Sequence, residues 1–544
     1  MGACGICCCV FGLLNAVLLY IYECIEVLIS YFFSPLPPVP RPENKFGHVA
    51  VIGAGLSGIS TASQLVAQGF QVTIFEAASE SGGIWANVNS TSGLQINSML
   101  YRFHPLVHWT YWYPHRDQVL QNIRKIWNVY GLKNRTRFNT RVTKVERHSS
   151  STKLEGEEGH SRWVINGNQS EIFDGLVVTI GTCGKPKMLK LPGEEQFKGK
   201  IVHSSQLDNI DFEGKNVLIV GGGASGVEAL ELAVNKGANK PTILARSDKW
   251  VIPRNFVVDC LLSLQPFGRE MPLSFVPEMF LKTFHYRELT EKMAPVQGFY
   301  TGTPIVNNKV LSLVREGKAD YERGDVLKVK GDGIEWNARK RGQKKGEEGE
   351  KRFSEADVII MAGGFERPSF DFLPDYLFPE GYSRPNMYLQ VFPINDWSVV
   401  CTNSTFHDAV GTVGHFHIGV YARILSLFLN DPKTRPKPHD MRLWVDVIRF
   451  IKESAPGGQL EFFTYMELCL WFVLFLCSRF ERLQYVFYVL NGYGFWVKDP
   501  KTDKPKFRLT LSNIFYRLRH GLVTQRADLV LNAANESKEE EKEE

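Results

Sequence analysis

Two glycine-rich turns in this chain share one spacing. Gly53-Ala54-Gly55-Leu56-Ser57-Gly58 follows the apolar run 48–52, and Gly221-Gly222-Gly223-Ala224-Ser225-Gly226 follows the apolar run 216–220. The spacing lets a backbone approach a pyrophosphate at the N-terminus of a helix. The residue that closes each unit differs in charge. Glu76 ends the strand-like run 71–75, and Arg246 ends the run 242–245. A carboxylate accepts hydrogen bonds from a ribose diol; a guanidinium in that place pairs with a 2′-phosphate. The pattern predicts one site for an adenosine cofactor without a 2′-phosphate and one for NADPH, hence an enzyme joining two redox carriers.

Further motifs surround the first turn. Gly82-Gly83-Ile84-Trp85 offers two glycines for close packing and an aromatic wall for a flavin. Asn97-Ser98 follows in the run 94–100. By residue type alone, Asn97 is more often a turn former than a catalytic group. The set as a whole resembles the class B flavin-dependent monooxygenases, nearest the flavin-containing monooxygenase and N-oxygenase group. That resemblance also rests on Phe197, Gly199 and His203 in the linker pattern F-x-G-x-x-x-H, on the run 181–186 and on Leu191-Pro192-Gly193. It covers about residues 45–430. Fungal secondary-metabolite monooxygenases look similar as well.

The resemblance implies an FAD- and NADPH-dependent monooxygenase that places one atom of O2 on a small organic substrate through a C4a-(hydro)peroxyflavin. It implies roles residue by residue. Gly53, Ala54, Gly55, Leu56, Ser57 and Gly58 cradle the FAD pyrophosphate, and Glu76 holds the adenosine ribose. Ile84 and Trp85 line the flavin, Ile96 joins the cofactor contacts, and Val142 touches the adenine. Asn97 donates its amide to NADP⁺ and the oxygenated flavin, with Ser98 beside it. Gly221, Gly223, Ser225, Gly226, Val227 and Glu228 serve the NADP pyrophosphate, and Arg246 its 2′-phosphate. His203 has two open readings, a relay of domain position or a satisfied structural histidine. Departures stand at Leu207, where the linker pattern has an aromatic, and at Ala362-Gly363-Gly364-Phe365, where the family has an Ala-Thr-Gly-Tyr-like element. The long Baeyer-Villiger signature is not evident.

These motifs need an α/β scaffold: two Rossmann-like dinucleotide-binding domains, the NADPH domain inserted in the FAD domain. An N-terminal apolar helix and a C-terminal helical, membrane-associating region complete the expected fold. The expected boundaries are an anchor at 1–33, a proline-rich linker at 34–44, the FAD domain at 45–210 and 355–430, and the NADPH domain at 211–354. An aromatic, apolar region at 431–535 and an acidic disordered tail at 536–544 follow. Helix is expected at 58–68 and 116–130, strand at 138–146 and 173–181. The strand 356–361 is expected to return the chain to the first domain. The charged run 339–352 reads as a solvated hairpin tip.

At 44% hydrophobic and 22% charged, with a net charge of +5, the 544-residue chain reads as globular, and no basic–aromatic block suggests nucleic acid. Cys4, Cys7, Cys8 and Cys9 stand just before the apolar segment 10–33 and Cys24 within it, where S-acylation is a natural reading. The cysteines fit neither a metal site nor a secreted disulfide framework, and the body lacks the redox pair of a disulfide reductase. An interfacial helix, a tilted span and a cleaved or buried helix all stay open for 10–33, whose Glu23 and Glu26 share one face. Positive charges come only after it, so the catalytic body is expected to face the cytosol from a membrane, the endoplasmic reticulum. The apolar run 462–477 suits a monotopic membrane contact or a buried core helix. A peroxide-releasing NADPH oxidase and a membrane-tethered flavoprotein scaffold share these sequence parts.

Overall fold

The computed structural model describes residues 2–36, 46–153, 159–255, 275–299, 304–404, 415–454 and 464–509. The tail 536–544, the stretch 510–535, most of the proline-rich linker and the side chains of Cys4, Cys7, Cys8 and Cys9 lie outside that description.

The chain begins with α1 (Gly2–Phe33). The first βαβ unit is β1 (His48–Ile52), α2 (Leu56–Ala67) and β2 (Gln71–Phe75). All five positions of β1 are buried, as a parallel strand covered on both faces requires. α3 (Arg116–Val129) follows within the run expected as helix, with Val119, Ile123, Ile126 and the capping Tyr130 buried. The short β3 (Thr136–Arg137) and β4 (Gly175–Val178) add to the sheet.

The second unit holds β5 (Lys200–His203), β6 (Asn216–Val220), α4 (Ala224–Asn235) and β7 (Asn239–Ala245). The long hairpin strands β8 (Asp320–Lys330), β9 (Gly333–Ala338) and β10 (Glu350–Glu355) come next, then β11 (Val358–Met361). β12 (Val399–Cys401) and α5 (His417–Asn430) return to the first unit. In the C-terminal region α6 (Pro438–Ser454), α7 (Thr464–Cys477) and α8 (Val486–Asn491) follow.

The first sheet is parallel throughout in the order β12-β4-β1-β2-β3, and the second runs β10-β9-β8-β7-β6-β11-β5. Each glycine turn therefore leaves the carboxyl end of an interior strand, where α/β sheets bind ligands. One core joins α2, α3 and α5 to Trp471, Phe475, Tyr488 and Trp496, so the described C-terminal region folds onto the first unit.

Two expectations need correction. The strand 356–361 does not rejoin the first sheet. β11 pairs with β6, Val358 opposite Val217, and with β5, Val358 opposite Lys200, so both β5 and β11 belong to the second sheet. The run 138–146 is not one strand, because the Asn166 side chain takes the place of a neighbouring strand. Its Oδ1 accepts from the Thr143 N–H at 2.9 Å and the Lys144 N–H at 3.3 Å, and its Nδ2 donates to the Arg141 carbonyl at 3.0 Å. Only Val145–Arg147 forms a hairpin, with Trp163–Ile165. The run 339–352 does close a hairpin, between β9 and β10.

Candidate active site

The two glycine turns are built alike. Gly53 has φ +104° and Gly221 φ +129°, a region closed to most side chains. A Cβ on Gly53 would stand 2.6 Å from the Thr179 carbonyl oxygen, and one on Gly221 2.6 Å from that of Ala362. The third glycines, Gly58 and Gly226, sit so close to the turn that a Cβ would meet the Gly53 or Gly221 carbonyl oxygen at 1.9 or 2.0 Å. These four positions make the turn and seat the helix. The middle glycines differ. Gly55 and Gly223 are the N-caps of α2 and α4 in extended backbone, and a Cβ on Gly223 would meet nothing within 4 Å. An open space at a helix N-terminus fits a pyrophosphate.

At the first cradle, the two oxygens of Glu76 accept from the Ala54 N–H at 2.6 Å and the Ala78 N–H at 2.8 Å. These bonds hold the carboxylate at the turn. The Glu76 carbonyl accepts from the Thr140 N–H at 2.8 Å, and half-buried Val142 packs against the core cluster that includes Ile52 and Phe75. At the second cradle, Arg246 is exposed directly after β7, and its carbonyl accepts from Arg339.

The Gly-Gly pair meets the first cradle directly. The Gly82 N–H donates to the Ala54 carbonyl at 3.0 Å, and Gly55 would place a Cβ 3.6 Å from the Gly83 Cα. Ile84 and Trp85 follow in the turn Gly83–Asn87, both half-buried. The Trp85 indole N–H donates to the Tyr101 hydroxyl at 3.2 Å. Between them runs the segment with half-buried Ile96 and buried Asn97 and Ser98. Asn97 caps the short turn Ser98–Leu100, its Oδ1 accepting from the Met99 N–H at 3.0 Å. Ser98 Oγ is buried without full hydrogen-bond geometry to any group.

This segment also reaches the second unit. Gln95 Nε2 donates to Glu228 Oε1 on α4 at 2.7 Å. Burial pushes the Glu228 carboxyl up to about 7, with Glu231 adding to the rise and Gln95 and Arg254 opposing it. Nearby, Asn89 clamps the linker. Its Nδ2 donates to the Ser204 carbonyl and its Oδ1 accepts from the Leu207 N–H, both at 2.7 Å. Leu207 is fully buried in the second core, where apolar bulk serves without an aromatic ring. His203 is satisfied on both ring nitrogens. Nδ1 accepts from the Ser205 N–H at 3.2 Å, so Nε2 carries the proton donated to the Gly364 carbonyl at 2.9 Å. Burial lowers its pKa and keeps it neutral.

Sequence reading missed a second cluster beside the first cradle. Asn403 donates to Ser57 Oγ at 2.9 Å, and its Oδ1 lies 2.9 Å from His417 Nε2. His415 packs edge-on against Tyr101, ring centres 4.5 Å apart. Burial pushes His415 down to about 4 and His417 also downward, so both are neutral at ordinary pH. A run of histidines before a helix carries no spacing signal. Only the fold brings Asn403 and His417 to Ser57.

The geometry thus offers two pyrophosphate cradles, each with a charged residue at its far end, and one buried amide segment bridging them. The Flavin-binding monooxygenase-like family matches residues 46–401. Flavin-containing monooxygenase 5 of Rattus norvegicus is 25% identical over 376 residues, covering 64% of this chain and 67% of its own. The FAD-binding monooxygenase ktnD of Aspergillus niger is 30% identical over 225 residues, covering 38% of this chain and 35% of its own. A solved steroid monooxygenase bound to NADP shares the fold, at TM-score 0.57 and 19% identity over 78% of this chain and 96% of that one. Both cradles and the segment between them lie inside the matched span, and the chain belongs to the flavin-binding monooxygenase-like family, as an oxidoreductase that uses FAD, NADPH and dioxygen.

Proposed function

We propose that the first cradle holds FAD, the second holds NADPH, and Asn97 stands where the two cofactors and a small organic substrate meet. The Gln95–Glu228 hydrogen bond carries this reading, because it sets the segment 95–98 of the first unit against the N-terminal half of α4 in the second. When bound, the flavin supplies the redox chemistry: reduction by NADPH and activation of dioxygen, one atom of which enters the substrate while the other leaves as water. The chain's own residues bind and orient. The N-termini of α2 and α4 face the pyrophosphates, Glu76 accepts from the ribose of FAD, and Arg246 pairs with the 2′-phosphate of NADPH. The Asn97 amide donates to the nicotinamide side, and the buried position of Asn97 and Ser98 keeps water from the reacting atoms.

The experiment compares Asn97→Ala with the wild type for peroxide released per NADPH consumed. Expected is intact FAD binding with most reducing equivalents diverted to hydrogen peroxide. Unchanged substrate oxygenation removes Asn97 from the site.

We also read the protein as lying on a membrane surface, with the catalytic body on one side. Ala16–Phe33 is the one described helical stretch long and apolar enough to cross a bilayer. Yet Tyr22 and Glu26 are buried against the body, while Val17, Leu18, Ile21, Ile25 and Leu28 are exposed. α7 repeats the pattern. Glu467 is buried, accepting from the Trp444 indole and the Gln390 amide, both at 2.9 Å, while Val473 and Leu474 are exposed. Tyr493 joins the two regions by donating to the Phe32 carbonyl at 2.8 Å. One carboxylate turned inward and an apolar face turned outward favour an interfacial attachment over a span.

A further inference from the structure

Asn97 sits on a turn too short to hold itself. Ser98–Leu100 is three residues of helix, followed by an irregular excursion through Arg102 and Trp109 that returns at Trp112. The Ser98 N–H donates to the Trp112 carbonyl at 2.7 Å, closing the excursion on itself. On one side it meets α2, where Ser60 Oγ donates to the Phe103 carbonyl. On the other side it meets α1.

The contacts with α1 are polar and buried. The Glu26 side chain is fully shielded. Its carboxylate pairs with Arg102, accepts from the Trp109 N–H at 2.5 Å and lies 3.4 Å from His108 Nδ1. Arg102 also donates to the Val107 carbonyl at 2.8 Å. One helical turn earlier, Tyr22 stacks on Trp112, ring centres 5.1 Å apart and planes 17° from parallel. Its buried hydroxyl interacts with the Ser98 hydroxyl and the Glu26 carboxylate, short of full hydrogen-bond geometry. Helix α1 therefore holds both arms of the excursion. Adhesion alone does not call for this. Well-packed apolar residues hold a helix at least as firmly as a buried ion pair, whose distinctive effect is to fix one geometry.

We infer that Glu26 and Tyr22 of the amino-terminal helix are positioning residues of the oxygenation site, acting through the 97–112 excursion on Asn97. The helix is then part of the active-site scaffold as well as an attachment to the membrane. This inference rests on the reading of Asn97 given above.

The test uses the full-length, FAD-loaded enzyme in detergent, with Glu26→Gln, Tyr22→Phe and the paired Glu26→Gln/Arg102→Gln. The paired variant leaves no unpartnered buried charge, so it keeps the test informative if Glu26→Gln alone fails to fold. Amide hydrogen exchange is measured on peptides from 97–112 and from α2. Peroxide released per NADPH is measured alongside the rate of flavin bleaching by NADPH. The inference expects exchange across 97–112 to rise about tenfold with α2 unchanged. It expects the peroxide share to rise severalfold, by more than any fall in the bleaching rate, because Glu26 and Tyr22 touch neither cradle. A wild-type peroxide share in both Glu26 variants overturns it and leaves α1 as an anchor alone. Asn97→Ala in the same assay separates the two claims. If it uncouples while the Glu26 variants do not, only this inference fails; if it stays coupled, the reading of Asn97 fails.

Discussion

Glu76 and Arg246 follow equivalent strands in two similar units and differ in charge, and the proposed division of cofactors rests on that difference. On this account, Arg246→Ala removes a charge-assisted pair worth ~2 kcal/mol, so NADPH should weaken about 30-fold. NADH, with no 2′-phosphate, should change less than about twofold. Steady-state KM values for both nucleotides check this, and equal losses would contradict the assignment. Glu228 makes a second prediction. Its folded pKa of about 7 lies above that of an unfolded glutamate, about 4.3, so the folded state holds the extra proton between those values. Its contribution to stability is full below about pH 4.3 and is lost as pH rises toward 7. Glu228→Gln should therefore gain melting temperature relative to the wild type between pH 5 and 7, and hold that gain above. A constant difference across that range would show that the carboxyl titrates normally. Asn97 could be singled out by motif, but Asn403, His415 and His417 could not, since their link to Ser57 spans most of the chain and leaves no local pattern.

The regular elements were readable where apolar residues run unbroken. β1, β2 and β6 occupy the expected runs, because interior parallel strands bury both faces. The run 138–146 was not readable, since one distant side chain, Asn166, satisfies its backbone. The apolar helices were visible as such, but their orientation was not. Composition marks α1 and α7 as apolar and leaves membrane contact or burial open for each, whereas burial of Glu26 and Glu467 shows which face each turns inward. Val473, Leu474 and Phe480 are 56, 51 and 91% exposed, so polar residues there do not disturb the core. Replacing all three with serine should sharply reduce flotation with phospholipid vesicles and leave FAD content unchanged. Flotation equal to the wild type would show that this face does not meet the bilayer.

At the scale of the molecule, hydrogen bonds tie the first unit to the second. Asn89 grips Ser204 and Leu207, and Gln95 grips Glu228. The linker residue His203 belongs to β5 and, with β11, to the second sheet, so the chain changes units earlier and returns later than the sequence boundaries suggested. Strand pairing of this kind depends on residues far apart in the chain, which is why sequence periodicity found the strands and misplaced their partners. The central claim is the division of labour between the cradles, and it is tested most directly by anaerobic NADPH titration of Gly55→Ala and Gly223→Ala beside the wild type. Both glycines have φ values an alanine adopts, −76° and −87°, so each variant should fold with its cradle narrowed. The account expects Gly223→Ala to keep its FAD yet need about tenfold or more NADPH to bleach it, ~1.4 kcal/mol or more of lost binding, and Gly55→Ala to lose the flavin. Loss of flavin from Gly223→Ala with retention in Gly55→Ala, or wild-type bleaching in both, would contradict it.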